Sequence, residues 1–289
     1  MSELPRLNGI IRAWEQGRPC FASFVHPERQ SAIEFSTATA YDCAVFEMEH
    51  NSWDADKLQD SLQYLLNRRQ IHEMGSLAPR ITPIVRIPSN GAEKNEWLAK
   101  QALDRGVYGI IWPHVSTVEQ AYSAVAACRY PRPKTAPYFQ PEGQRGDGPH
   151  SCSRYWGLTQ QEYYAKADVW PLNPKGEVLV FLMIEDVLGI QNLDDILGNV
   201  PGIGCVLIGE GDLSQELGVP RQYEHPEVKA AMAQIVDTCK KHKVRVGHPH
   251  VTTKNVEAVS ALSDQLLESC TTCHKHYRPG YGQKPPPID

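Results

Sequence analysis

Charged and imidazole side chains recur in this chain where apolar runs end. Cys43-Ala44-Val45-Phe46 is followed by Glu47, Met48, Glu49 and His50, and Ile84-Val85 by Arg86. Val178 to Ile184 gives way to Glu185, and Ile208 to a Gly209-Glu210-Gly211 turn and then Asp212. A lone carboxylate at a buried strand end is costly to desolvate. Several gathered on one face suggest a cation between them. Oxygen ligands favour hard or borderline divalent ions, and Mg²⁺, Mn²⁺ or Co²⁺ is expected between Glu185 and Asp212. Two carboxylates leave positions open for a small bidentate ligand such as a 2-oxo acid, whose ketone such an ion polarises. Arg86 could clamp a carboxylate or stabilise an enolate. His50 could move a proton, because a free imidazole titrates near neutrality. The glycine turn lets backbone amides approach a substrate carboxylate. Glu47 and Glu49 would orient the imidazole or a metal-bound water.

The elements that must position these groups follow from the alternation of the chain. Apolar strand-like runs at residues 20–25, 43–50, 81–88, 108–114, 178–186, 203–208 and 244–250 are separated by amphipathic helical stretches. That rhythm specifies a parallel sheet with crossover helices. With charged groups at the C-terminal ends of its strands, it specifies one face of a TIM (β/α)8 barrel. A single helix is expected over Ala55 to Arg69. Tyr130 to Gly157, rich in Pro and Gly, breaks the rhythm, and its Gln144-Arg145-Gly146-Asp147-Gly148 turn could bring a cation over a site. After a helix around Thr253 to Ser263, no run of apolar residues supplies the eighth strand.

The remaining features exclude other classes. The 289 residues carry a net charge of −5, and no basic block argues for nucleic acid. No apolar run reaches the ~20 residues of a membrane span. The N-terminus lacks the layout of a signal peptide, so a cytoplasmic protein with reduced thiols is expected.

On these stretches the chain resembles the HpcH/HpaI aldolase/citrate lyase family, the metal-dependent class II pyruvate aldolases. The matching segments are Phe46 to His50, Pro83 to Pro88, Ala102-Leu103-Asp104-Arg105-Gly106, Arg129-Tyr130-Pro131, Ile184-Glu185, Ile208 to Ser214 and His225-Pro226. The resemblance spans residues ~6 to ~260. It implies a TIM barrel of the phosphoenolpyruvate/pyruvate type, often a homo-oligomer (a trimer or hexamer). The implied reaction cleaves or forms 4-hydroxy-2-oxo acids, with pyruvate and an aldehyde as the partners. His50 is implied as catalytic base, Asp104 as the acid that raises its basicity, and Arg86 as the stabiliser of the transition state. Glu185 and Asp212 are implied as metal ligands, and Gly211 as a backbone contact to substrate.

The chain departs from the family pattern at several places, among them about four extra residues between Arg86 and Asp104 and an apparent insertion over Pro133 to Gln144. Met183 stands where the family usually has a substrate-contacting Gln. Glu210 adds a charge to the turn before Asp212. Residues 264–289 form an atypical tail, set apart from an aldolase-like barrel over 1–263. It carries Cys270-x-x-Cys273-His274, similar to the end of a c-type cytochrome. Haem is not expected, because its attachment needs export; a tail left by a fused or truncated gene end is expected instead, and an adventitious metal contact through Cys270, Cys273 and His274 is a further reading. Rival functions are a CoA-thioester lyase of the malyl- or citramalyl-CoA kind, a haem-binding chimera, and an inactive open barrel.

Overall fold

The computed structural model of the chain describes residues 5–88 and 93–248. Eight parallel strands lie in one sheet: β1 Ala22–Val25, β2 Cys43–Glu47, β3 Thr82–Arg86, β4 Gly109–Trp112, β5 Val169–Trp170, β6 Val178–Ile184, β7 Cys205–Ile208 and β8 Arg245–Gly247. The order is β1-β2-β3-β4-β6-β7-β8, and β5 pairs with the first two residues of β6 beneath β7. Seven of these strands are the expected apolar runs, and together they make a curled, incomplete α/β barrel. Among the described residues no strand follows β8, and β1 and β8 share no ladder. The Cys270, Cys273 and His274 tail lies outside the described residues, as does the helix expected around Thr253 to Ser263.

The helices are α1 Gly9–Glu15, α2 Arg29–Ser36, α3 Ala55–Leu65, α4 Arg68–Met74, α5 Glu96–Arg105, α6 Val118–Ala127, α7 His150–Trp156, α8 Gln160–Lys166, α9 Val187–Asn199, α10 Glu210–Glu216 and α11 Pro226–His242. The single helix expected over Ala55 to Arg69 is two. Leu66 leaves helical geometry, and the Asn67 side chain accepts from the Gln70 amide to start α4.

Side-chain alternation divides the strands between two cores. Val45, Ile84, Ile111, Phe181, Met183 and Cys205 point inward and pack against Ile10, Ile11 and Trp14 of α1, which closes the N-terminal end of the sheet. The intervening residues, among them Phe46, Val85, Ile110 and Val180, face the outer helices. Burying each large aliphatic side chain contributes about 1.5–3 kcal/mol, so this two-sided packing is what fixes strand register. No helix among the described residues is long and apolar enough to cross a membrane.

Candidate active site

The expected residues gather at the C-terminal ends of the strands. In the β2–β3 ladder Glu47 lies opposite Arg86, which brings carboxylate and guanidinium together on one face. Glu47 Oε2 accepts from Arg86 Nε at 2.7 Å and lies 2.5 Å from Nη2. Its other oxygen accepts from the amides of Glu49 (2.8 Å) and His50 (3.2 Å), so Glu47 also shapes the turn that carries the imidazole. Glu49 Oε2 lies 2.8 Å from Arg86 Nη1, and the Arg86 guanidinium sits 4.9 Å from the centre of the Phe24 ring. Held on two edges by carboxylates and on one face by an aromatic ring, Arg86 has little freedom left.

His50 stands on the rim, with 70% of its side chain exposed, and its Nε2 is 3.6 Å from Glu49 Oε2. Asp104 is elsewhere in its contacts. It projects from α5 and accepts from Arg145 Nη2 at 2.9 Å, and the cations acting on it are Arg145, Lys100 and Arg105. Burial raises the Asp104 carboxyl above its ordinary range, and Arg145 works against that shift. Within the single chain, the carboxylate that meets His50 is Glu49.

Glu185 follows β6 and is 3% exposed on its side chain. Gly209 makes room for it, since a Cβ there would lie 2.3 Å from the Glu185 Cβ. Burial pushes the Glu185 carboxyl up to about 7; His114 opposes the shift, and Glu49 and Asp212 add to it. Burial also raises Glu49, against the pull of Arg86 and the nearby imidazoles. Asp212 lies in the first turn of α10 and is half exposed. A Cβ added at Gly211 would meet nothing within 4 Å, so that backbone borders open space.

One residue of the cluster ends the 108–114 run and is not among the residues expected at the site. His114 follows β4 and Pro113, and its backbone N–H donates to Glu185 Oε1 at 2.6 Å. Ligand-capable atoms of His114, Glu185 and Asp212 all lie within 4.8 Å of one another. Its position at a strand end, like those of Arg86 and Glu185, was the signal that could have found it.

The donor set therefore suits a divalent cation. Three carboxylates converge on one imidazole, and burial pushes the most buried of them up to about 7. A cavity of about 500 Å³ lies at the opposite end of the strands, lined by Trp170, Leu197, Gly202, His242 and Arg245 among others, and carries no such cluster.

The Arg145 turn does not reach over the mouth as a free cation. Arg145 is buried, donates to Tyr163 Oη (2.8 Å) as well as Asp104, and lies 4.3 Å from the Tyr130 ring centre.

An incomplete parallel barrel with its chemistry at the C-terminal strand ends defines an enzyme of the aldolase-barrel kind. Residues 21–277 match the HpcH/HpaI aldolase/citrate lyase family, and the chain belongs to it. The match runs past residue 263 and through Cys270 to His274. A hydroxypyruvate/pyruvate aldolase of Roseobacter denitrificans is 29% identical over 230 residues, which cover 80% of this chain and 77% of that protein. A 2-keto-3-deoxy-L-rhamnonate aldolase of Salmonella gallinarum is 30% identical over 73% of this chain and 70% of its own. In fold, the chain is similar to an HpcH/HpaI family protein of Burkholderia cenocepacia, with TM-score 0.71, 24% identity and 91% of each chain covered. Macrophomate synthase shares the fold at TM-score 0.62 and 24% identity, over 91% of this chain and 81% of that one. The protein is a carbon–carbon lyase of the class II pyruvate aldolase type, a class that typically depends on a divalent metal.

Proposed function

We propose that the protein cleaves a 4-hydroxy-2-oxo acid to pyruvate and an aldehyde, and runs the aldol addition in reverse, at the mouth formed by the ends of β2, β3, β6 and β7. The observation that carries this reading is the buried Glu185 facing Asp212 beside the fixed Arg86 guanidinium. Glu185 and Asp212 would hold a divalent ion such as Mg²⁺, Mn²⁺ or Co²⁺. When bound, that ion supplies Lewis acidity to a 2-oxo group.

The chain's own residues do the rest. His50 takes the C4 hydroxyl proton, directly or through a water, as the C3–C4 bond breaks. Its exposed rim position suits a proton that must pass to solvent and back. Arg86 donates to the oxygen on which enolate charge develops, and Glu47 and Glu49 keep its fork aimed there before substrate arrives. Gly211 offers its amide to the substrate carboxylate on the open side of α10. Asp104 fixes Arg145, and with it the 144–148 turn, against α5. We further propose a trimer or hexamer as the working assembly, and light scattering after size exclusion tests it.

The functional test is pyruvate release from a panel of 4-hydroxy-2-oxo acids with Mg²⁺, Mn²⁺ or Co²⁺ added to chelator-treated protein. Metal-dependent release is expected. Turnover that survives chelation, or that is unchanged in His50→Ala, overturns the reading.

A further inference from the structure

The two-carboxylate reading leaves His114 unused. This residue has a left-handed backbone, with φ of 51°. For a non-glycine residue that is an uncommon conformation. Here it turns the chain sharply after Trp112 and Pro113 and holds the ring over the mouth. The backbone N–H of the same residue is bonded to Glu185, so ring and carboxylate are tied together by the main chain.

Three carboxylates surround the ring. Nδ1 is 3.4 Å from Glu185 Oε1, and Nε2 is 3.6 Å from Glu49 Oε1 and 3.9 Å from Asp212 Oδ2. All three separations exceed the ~2.7–3.2 Å of an N–H···O hydrogen bond. A neutral imidazole has one N–H and could serve only one of these acceptors. The His114 ring and the carboxylates of Glu185 and Asp212 converge without a ring-to-carboxylate hydrogen bond, and their ligand-capable atoms, all within 4.8 Å of one another, are spaced as ligands around a shared ion.

We propose that His114 is a third protein ligand of the metal, completing a set of two carboxylates and one imidazole. The inference rests on the metal-dependent lyase reading and sharpens it. Its consequence is metal choice. Mg²⁺ prefers oxygen donors and gains little from a ring nitrogen, whereas Co²⁺ and its transition-metal neighbours gain from imidazole. A site with His114 in it therefore discriminates in favour of Co²⁺ over Mg²⁺. Two carboxylates alone would not do so to the same degree.

The test uses the full chain stripped of metal by chelation and titrated calorimetrically with Co²⁺ and with Mg²⁺. His114→Gln should weaken Co²⁺ binding by at least about tenfold, the smaller loss usual when a partner of a metal site is removed. It should change Mg²⁺ binding much less. Independently of any variant, Co²⁺-loaded protein carrying ¹⁵N-labelled histidine should show one exchangeable imidazole N–H displaced far outside the diamagnetic range. That signal should be absent in His114→Gln and present in His50→Gln. A wild-type spectrum without such a signal, or equal losses for the two ions in His114→Gln, overturns the proposal. If Co²⁺ binding then still depends on Glu185 and Asp212, the lyase reading survives. Wild-type protein that binds neither ion removes both.

Discussion

Two regions of this molecule bury charge, and they do so differently. In the outer wall, Arg129 and Asp168 are both fully buried and bonded at 2.7 and 3.2 Å. Arg129 also donates to the carbonyls of Tyr138 (2.6 Å), Phe139 (3.3 Å) and Pro141 (2.6 Å). Asp168 accepts further from Arg132 (2.9 Å) and from Asn173 (3.1 Å). Charge meets charge, and the donors are used up in pinning the proline-rich excursion to the barrel. At the mouth the balance fails. Glu47, Glu49, Glu185 and Asp212 share one guanidinium and two imidazoles. Buried charge alone does not mark function in this fold; an uncompensated excess of one sign does.

The largest expected break in that contrast comes from Glu185→Gln. If Glu185 holds the ion as proposed, the change should lower turnover about a thousandfold, the equivalent of the several kcal/mol a bound ion contributes to catalysis. The metal-free fold should respond in the opposite sense. Folded Glu185 keeps its proton to about 7, and an unfolded carboxyl releases it near 4.5. Burying the carboxylate therefore costs wild-type stability that grows from pH 4.5 and is complete above 7. Thermal melts of chelated protein should show the variant matching wild type below pH 4.5, gaining on it between 4.5 and 7, and keeping a constant lead above 7. Metal affinity of the wild type should climb as pH rises toward 7, because the ion competes with that proton.

Arg129→Met probes the other region. It leaves Asp168 with only Arg132 and Asn173 and should cost about 3–5 kcal/mol of stability, as removing one partner of a buried pair does. Denaturant melts measure that loss, and kcat normalised to the folded fraction should stay at the wild-type value. A fall in kcat would mean that the wall shapes the mouth. His50→Ala ranks next, with a loss of about a hundredfold, the lower end for a general base. The imidazole is open to solvent, so added imidazole should restore part of the rate. An absence of rescue would move the proton-transfer role to another group.

Much of this arrangement was legible in the chain. Strand ends are readable because apolar runs stop at charges, and a parallel sheet sends all those ends to one face. The pairing of Glu47 with Arg86 follows from register once β2 and β3 are neighbours. His114 was harder to read. Pro113 ends the apolar run before it, and only its left-handed φ returns the ring to the mouth. The wall was not legible, because Arg129 with Asp168 and Asp104 with Arg145 are 39 and 41 residues apart in sequence. Nothing local distinguishes a buried Arg in a Pro-Gly stretch from one that covers a site. The break between α3 and α4 did have a local signal in Asn67, but the Leu62, Leu65, Leu66 run masked it.

The smallest expected effect bears on where mouth and core meet. Met183 ends the inward row of β6, is packed with Phe181 and Cys205, and places its sulfur 3.8 Å from Arg86 Nη1. A thioether is a weak acceptor. Met183→Gln keeps the length of the side chain and puts an amide in place of the thioether. One added hydrogen bond of about 0.5–1.5 kcal/mol corresponds to a shift of about two- to tenfold. If Met183 borders the bound 2-oxo acid, the change should appear in KM, with kcat nearly constant, because an extra contact made equally in ground and transition state alters binding alone. If Met183 is only the last layer of the core, the Gln amide is left unpaired there. Stability then falls by about 1–3 kcal/mol with KM unmoved. Steady-state kinetics and a thermal melt on the same preparation separate the two outcomes. They also fix how deep into the barrel the uncompensated region extends.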